Sequence, residues 1–292
     1  MSEQKTIAYG GQAVIEGVMM RSRDRVAVAV RAPNGQIVVH EEMLHSAIHN
    51  SPLSKLPFVR GVVGIWDALG IGTRALTWAA EIKLGKPDAD FNDPAIGPGM
   101  TATSLALGAG LMFIAPALTS SWIERLLGIK GGLLANTLEG MIRLGIVVGY
   151  ISAVGQLDEG KRLFAYHGAE HKTINAYEAG APLTPESVRH FPLEHPRCGT
   201  AFLLTVAVIN VIISAFLGRP PIAMRILSRI LLLPLVAGIA YEAIQYSARH
   251  MDNPLVRTLV TPNLLLQRLT TREPDAAMLE VSIRALERVL AD

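Results

Sequence analysis

The sequence is short of charge. Only 18% of its 292 residues are Asp, Glu, Lys or Arg, and 27 basic side chains against 25 acidic ones leave a formal net charge of +2. Such a balance lacks the basic field that nucleic-acid binding requires, and no basic stretch is interleaved with aromatics, which make up only 5% of the chain. Cysteine is scarcer still. Cys198 stands alone, so an internal disulfide is excluded and its thiol is free to serve as ligand or nucleophile. Also missing is a secretory signal: Met1 to Gly10 is polar, and the apolar stretch that follows is broken by Glu16, Arg21, Arg23 and Arg25. The N-terminus is therefore expected in the cytoplasm.

What the chain has instead is apolar mass. Half of its residues are hydrophobic and the mean hydropathy is +0.33, values typical of membrane proteins. Residues 101–123 and 199–218 carry no charge, 133–154 carries only Glu139 and Arg143, and 226–248 only Arg229 and Glu242. Each run is long enough to cross about 30 Å of hydrocarbon as a helix. The expected fold is thus a mainly α membrane protein with about four transmembrane helices. Residues 101–154 hold the first two spans and 199–248 the last two. The lipid bilayer is the first partner to expect. The termini and segment 155–198 then share one side, and that side carries Lys83, Lys86, Lys161, Arg162, Lys172, Arg197, Arg249 and Arg257 near the membrane. The opposite loops carry Arg125, Lys130, Arg219 and Arg225, a bias that agrees with cytoplasmic N- and C-termini.

Residues 1–56 read as a small β-rich cytoplasmic segment. Val26, Val28 and Val30 alternate with smaller residues, the turn Ala32-Pro33-Asn34-Gly35 follows, and Gln36 to His40 returns as a second strand. The stretch from Gly10 to Arg21 supplies a third strand with glycine bends. In 57–84 the charges recur every seven residues as Arg60, Asp67, Arg74 and Glu81, one polar stripe on an amphipathic helix. That helix is read as interfacial or re-entrant, with a fifth span as the alternative. Residues 85–100, rich in Pro and Asp, form a linker. In the C-terminal segment 249–292, Glu273-Pro274-Asp275 starts a helix whose Leu279, Ile283, Leu286 and Leu290 make an apolar face for the cytoplasmic body or a partner.

Ligand-grade side chains gather in 155–198. His167 and His171 fall at i and i+4, on one face of a helix spanning 163–178, with Glu170 beside them. H-x-x-E-H is the order of inverzincin-type zinc hydrolases. Glu178, seven residues on, projects from nearly the same face as a candidate third ligand, and Gly180 and Pro182 end the helix after it. His195 and Cys198 return at H-x-x-C spacing just before the third span. The expected metal set is His167, His171, Glu178, His195 and Cys198, most simply around zinc, with Glu170 as general base for a metal-activated water. The alternative is that the two histidines merely decorate a juxtamembrane helix. Within the spans, Glu139 and Arg143 lie four apart and can neutralise one another or line a polar site. Glu242, near the inner end of the last span, could face the same interior.

Four ordered motifs carry a resemblance. Gly10-Gly11-Gln12-Ala13-Val14-Ile15-Glu16-Gly17-Val18-Met19-Met20-Arg21, Tyr166-His167-Gly168-Ala169-Glu170-His171-Lys172-Thr173, His195-Pro196-Arg197-Cys198-Gly199-Thr200 and Leu269-Thr270-Thr271-Arg272-Glu273-Pro274-Asp275 resemble the YqhQ-like family of bacterial membrane proteins, from about residue 8 onward. The resemblance implies a polytopic protein of the bacterial cytoplasmic membrane. The family is a domain of unknown function that some descriptions call a predicted metal-dependent enzyme, and it supplies no substrate. Ala276 and Ala277 depart from the acidic or polar residues usual after the last motif. Gln12 and Glu16, a polar pair flanked by Gly11 and Gly17, are the N-terminal residues expected nearest the site.

Three functions compete at this stage. The first is a metal-dependent hydrolase or peptidase acting on a membrane-protein or peptide substrate. The second is a scaffold or assembly factor with a structural metal. The third is a small-solute or ion transporter, for which four spans are few unless a homo-oligomer completes it. A cysteine peptidase built on Cys198 with His195 is a further enzyme alternative.

Overall fold

Strand β1 (Gly10–Val14) turns through Ile15 and Glu16 into β2 (Gly17–Arg21), and β3 (Arg25–Arg31) turns through Ala32 to Gln36 into β4 (Ile37–Met43). The result is an antiparallel meander in the order β1-β2-β3-β4. The expected single strand with glycine bends over 10–21 is in fact a hairpin. Its turn escapes notice because Glu16, not Gly or Asn, takes the left-handed conformation, with φ 55. In this computed structural model the described residues are 9–22, 24–44, 56–92, 98–129, 132–216 and 220–291.

The sheet is buried on both faces, because both sets of alternating side chains are apolar. Val14, Met19, Val26, Val28 and Val30 face helix α1 (Val59–Lys83), where Ile71, Ala75, Trp78 and Ile82 meet them. On the other face, Val18, Met20, Ala27 and Ala29 meet α5 (Asp158–Glu178) and α10 (Ala276–Leu290). Full burial of each valine contributes roughly 1.5–3 kcal/mol, which is why a small sheet can hold three helices. The C-terminal helix lays Leu279, Ile283 and Leu286 into this core and is capped by Asp275, which accepts from the Met278 N–H at 2.8 Å.

The remaining helices form an apolar bundle. α2 (Pro98–Ala109) passes through a π-helical turn (Gly110–Ile114) into α3 (Ala115–Leu127), and α4 (Gly132–Val154) follows. After α5 and the short α6 (Pro185–Val188) come α7 (Gly199–Phe216), α8 (Ile222–Arg249) and α9 (Pro254–Thr270). Three helices, Ala102–Leu127, Gly132–Val154 and Ile222–Arg249, are long and apolar enough to cross a membrane, and at most 22% of each apolar window is buried by the rest of the chain. The apolar run of α7, Gly199–Ser214, is shorter. No signal in the sequence reading marked α9. It places Leu255 and Leu259 outward, beside Arg257.

α1 joins the two halves. Its C-terminal half lies on the sheet, while near its start Arg60 pairs with Glu242 of α8, Nε to Oε1 at 2.7 Å, and Gly61 lies against Tyr241. The charges of the expected stripe find partners on other elements rather than along the helix: Arg74 bonds Glu42 at 2.8 Å and Glu81 meets Lys86 at 3.4 Å. The Asp67 side chain lies outside the described residues.

A methyl group on Gly17 would meet the Ala29 carbonyl oxygen at 2.2 Å. Gly17→Ala is therefore expected to cost about 2 kcal/mol by forcing β2 from β3, read as a Tm lowered by roughly 4–8 °C. Glu16 holds α5 to the hairpin through a fork of bonds from Arg162, with Nε donating at 2.7 Å. The hydrogen bond from Arg162 depresses the Glu16 carboxyl below its ordinary value of 4.5. A depressed carboxyl stabilises the fold above its unfolded value and loses that contribution as pH falls through the folded one. Acid titration of Tm should thus be shallower below about pH 4.5 in Glu16→Gln than in the wild type.

Candidate metal centre

α5 is polar in composition yet mostly buried: 12 of its 21 residues are buried, among them Glu170, His171, Lys172 and Thr173. Buried polar groups must find partners inside the protein, and here they find backbone. Lys172 donates to the Arg189 carbonyl at 2.7 Å and pairs with Glu273 at 2.6 Å. Asn175 donates to the carbonyls of Pro192 and Glu194, at 3.0 and 3.1 Å. Segment 189–198 is thereby laid along the helix. On the other flank Gly168 admits the Arg272 carbonyl oxygen so closely that a Cβ would lie 2.1 Å from it.

Two carbonyls then fix the imidazoles. His167 Nδ1 donates to the Thr270 carbonyl at 2.9 Å, and His171 Nδ1 donates to the Leu193 carbonyl. With both protons held at Nδ1, each Nε2 carries a bare lone pair. His167 Nε2 lies 3.2 Å from Cys198 Sγ, whereas His171 Nε2 is buried with no hydrogen-bond partner among the described residues. The donor atoms of His167, His171 and Cys198 all lie within 4.8 Å of one another. Ligand bond lengths for tetrahedral zinc put its donors roughly 3.5 Å apart, so small rotations would close this trio on an ion. Cys198 sits at the entry of α7, where the Thr200 hydroxyl and N–H approach its sulfur at 3.1 and 3.4 Å.

Glu170 stands beside the trio rather than in it, with Oε2 3.8 Å from His167 Nε2. Burial pushes its carboxyl up to about 7, against the opposing effects of His167 and the Gly11 N–H. A carboxyl in that position can take or give a proton near neutral pH.

Glu178 and His195, both expected as ligands, form a separate pair. Glu178 accepts from Arg197 and lies 3.5 Å from His195 Nε2; although burial raises its carboxyl, His195 and Arg197 outweigh that and hold it low. The Arg197 N–H approaches His195 Nδ1 at 3.4 Å, which favours a proton on Nε2, the nitrogen nearest Glu178; the ring itself lies 5.8 Å from that of His171. Burial also lowers the basicity of this ring. Seven residues bring Glu178 back to nearly the same side of the helix but about 10 Å further along its axis, beyond the reach of an ion at His167 and His171. Of the N-terminal pair, Gln12 packs its amide over Gly72 of α1 and Glu16 is held by Arg162, with Tyr166 3.4 Å away. Gly11 is the residue that touches the site, with its backbone against Glu170.

Gln267 went unnoticed in the sequence. Fully buried, it accepts from the His195 N–H and donates to the His195 carbonyl, both at 2.9 Å, and so clamps the approach to Cys198. An amide inside the apolar run Leu264-Leu265-Leu266-Gln267 was the available signal. Glu139 and Arg143 do pair, at 3.1 Å, within the bundle. Glu242 lies about 20 Å further along α8 than the Arg229 that joins them, so these three charges do not line one path.

Residues 56–292 match the family described as protein of unknown function (DUF1385). The chain is also 32% identical over 296 residues to the uncharacterized protein YqhQ of Bacillus subtilis, covering 97% of this chain and 92% of that one. No solved structure matches it.

Gln267→Ala should free the His195 to Cys198 segment and weaken zinc binding about 10–100-fold, as loss of a supporting hydrogen bond does at metal sites. Competition against a chromophoric chelator measures this, and an unchanged affinity would mean that the clamp plays no part in the site.

Proposed function

The chain belongs to the DUF1385 family, which assigns it no chemistry, and from its donor set we propose that it is an integral membrane metalloenzyme, a hydrolase with a zinc-type centre at the cytoplasmic membrane surface. The observation that carries the reading is the orphaned Nε2 of His171, buried and turned toward the Nε2 of His167 and the thiol of Cys198. A buried nitrogen lone pair without a donor costs about 1–3 kcal/mol, and a bound cation removes that cost. Two imidazoles and one thiolate leave a fourth position open, as in catalytic rather than structural zinc sites. An ion held there supplies an acidified water and a Lewis acid. Glu170 is the acid and base that takes and returns the proton. The Thr270 and Leu193 carbonyls keep both imidazoles in the ligating tautomer.

A thiol hydrolase is the second reading, favoured by the 3.2 Å contact between Cys198 and His167. It replaces the Cys198–His195 dyad expected from spacing, yet it leaves His171 unexplained. The bilayer setting rests on the three long apolar helices and their uncovered surfaces. In it, α7 is the fourth span, α9 lies at the interface with its leucines in lipid, and both termini are cytoplasmic. The substrate is a membrane protein, a peptide or another membrane-associated ester or amide.

Metal analysis of the full chain, purified from membranes, tests the centre. One zinc per chain is expected in the wild type and in Glu170→Gln, and none in His171→Ala. Cobalt substitution should give a thiolate charge-transfer band that shifts with added azide if the fourth position is open. A band indifferent to azide would mark a closed, structural site and favour the scaffold role. Wild type that stays metal-free after zinc reconstitution would sink the reading.

A further inference from the structure

A second constellation lies at the far end of the apolar bundle. α4 carries its C-terminus to the metal-centre end, and Glu139 lies about 22 Å back along it. There three arginines converge on one carboxylate: Glu139 lies 3.1 Å from Arg143, 3.4 Å from Arg225 and 3.9 Å from Arg229. All four side chains are buried. Guanidinium groups stay protonated, so the cluster holds two more positive charges than negative ones inside low-dielectric surroundings.

The three arginines are not equivalent. Arg143 is fully engaged, bonding the Met112 carbonyl of the π-helical turn at 3.0 Å, Asn210 at 2.7 Å and Glu139 at 3.1 Å. It is the true partner of Glu139. Arg225 donates to the Ala117 carbonyl at 3.0 Å and to the Ser121 hydroxyl at 2.6 Å, and Arg229 reaches Asn136 at 3.4 Å. Yet these two, one turn apart on α8, are the excess of charge: the Nε of each faces the already paired Glu139, at 3.4 and 3.9 Å, and is buried with no hydrogen-bond partner among the described residues. Arg225 also lines an open depression of about 510 Å³, with Ser121, Gly128 and Ile222. Glu124 and Arg125 at its edge are of opposite sign and cancel. Ile222 is the first residue of the 28-residue helix α8, whose starting N–H groups have no side-chain cap. Their dipole therefore adds to the positive potential of the depression.

We propose that this depression binds a phosphate-class oxyanion, held by Arg225 and the first turn of α8 and backed by the charge of Arg229. Guanidinium forks match tetrahedral oxyanions in geometry better than they match a spherical halide. The oxyanion is either free phosphate or the phosphate of a lipid headgroup; both present the same oxygens. The inference does not depend on the metal centre, whose ligands lie at the other end.

The test uses full-length protein, delipidated in an uncharged detergent. Thermal stability is followed against inorganic phosphate, against phosphatidic acid doped into the micelles, and against chloride at equal ionic strength. Stabilisation by inorganic phosphate beyond chloride identifies a free anion, and stabilisation by phosphatidic acid alone identifies a headgroup; either supports the site. Arg225→Gln should weaken the response about tenfold, the effect of losing one charge-assisted bond. Arg229→Gln should be at least as stable as wild type without anion, because one uncompensated buried charge is gone, and should respond less to it. No response in the wild type overturns the proposal. So does an Arg229→Gln protein that is less stable without anion and keeps the full response, since that is what a purely structural arginine gives. The Arg229→Gln arm decides the matter if Arg225→Gln fails to fold.

Discussion

Two backbone carbonyls set the terms for this protein. By accepting the Nδ1 protons of His167 and His171, the Thr270 and Leu193 carbonyls determine which nitrogen of each ring is bare and where it points. Each carbonyl belongs to a segment that must itself be held. Leu193 lies in the loop pinned by Lys172 and Asn175, and Thr270 ends α9, just before the extended turn that leads to α10. The α10 helix packs on the sheet, the sheet packs on α5, and α5 carries the two histidines. The supports of the site thus close into a ring, and the small sheet is as much a part of it as the ligands.

Some of this was legible along the chain. Spacing alone put His167, Glu170 and His171 on one turn, and the four motifs marked the segments that come together. The apolar runs foretold the bundle, with α7 shorter than expected. Geometry departs from spacing where a side chain has a nearer partner. Glu178 repeats the angular position of His171 but not its height on the helix, and Arg197 takes it. His195 has the spacing of a ligand, yet Gln267 binds both its backbone N–H and its carbonyl, and its Nε2 lies 3.5 Å from Glu178. α9 continues through Pro262, a residue unfavourable inside a helix, so local pattern does not announce it. The arginine cluster was out of reach of any local reading. Glu139 and Arg143 announce themselves as an i, i+4 pair, but nothing in the sequence brings Arg225 and Arg229 to the same carboxylate from another helix.

The two ends of the bundle pose opposite electrostatic problems. At one, ligand-type donors gather beside a carboxyl raised by burial; at the other, guanidinium groups outnumber the carboxylate beside them. Each is tolerable in a folded protein because its partners are otherwise well bonded, and each would be relieved by a ligand of opposite sign. Unrelieved charge in an apolar setting is rarely retained without use.

The place of α10 in the chain has a consequence for synthesis. Arg31 of β3 meets Glu280 of α10 at 2.7 Å across a separation of 249 residues. The sheet is translated early, but the face that α5 covers in part is closed only when α10 emerges, after the apolar helices. Until then the nascent chain displays a partly open β surface, the kind that chaperones hold and that proteases find. A ribosome that stalls before α10 releases a polypeptide with that surface still partly bare. The α10 helix is therefore a late contact on which the concealment of the early strands depends.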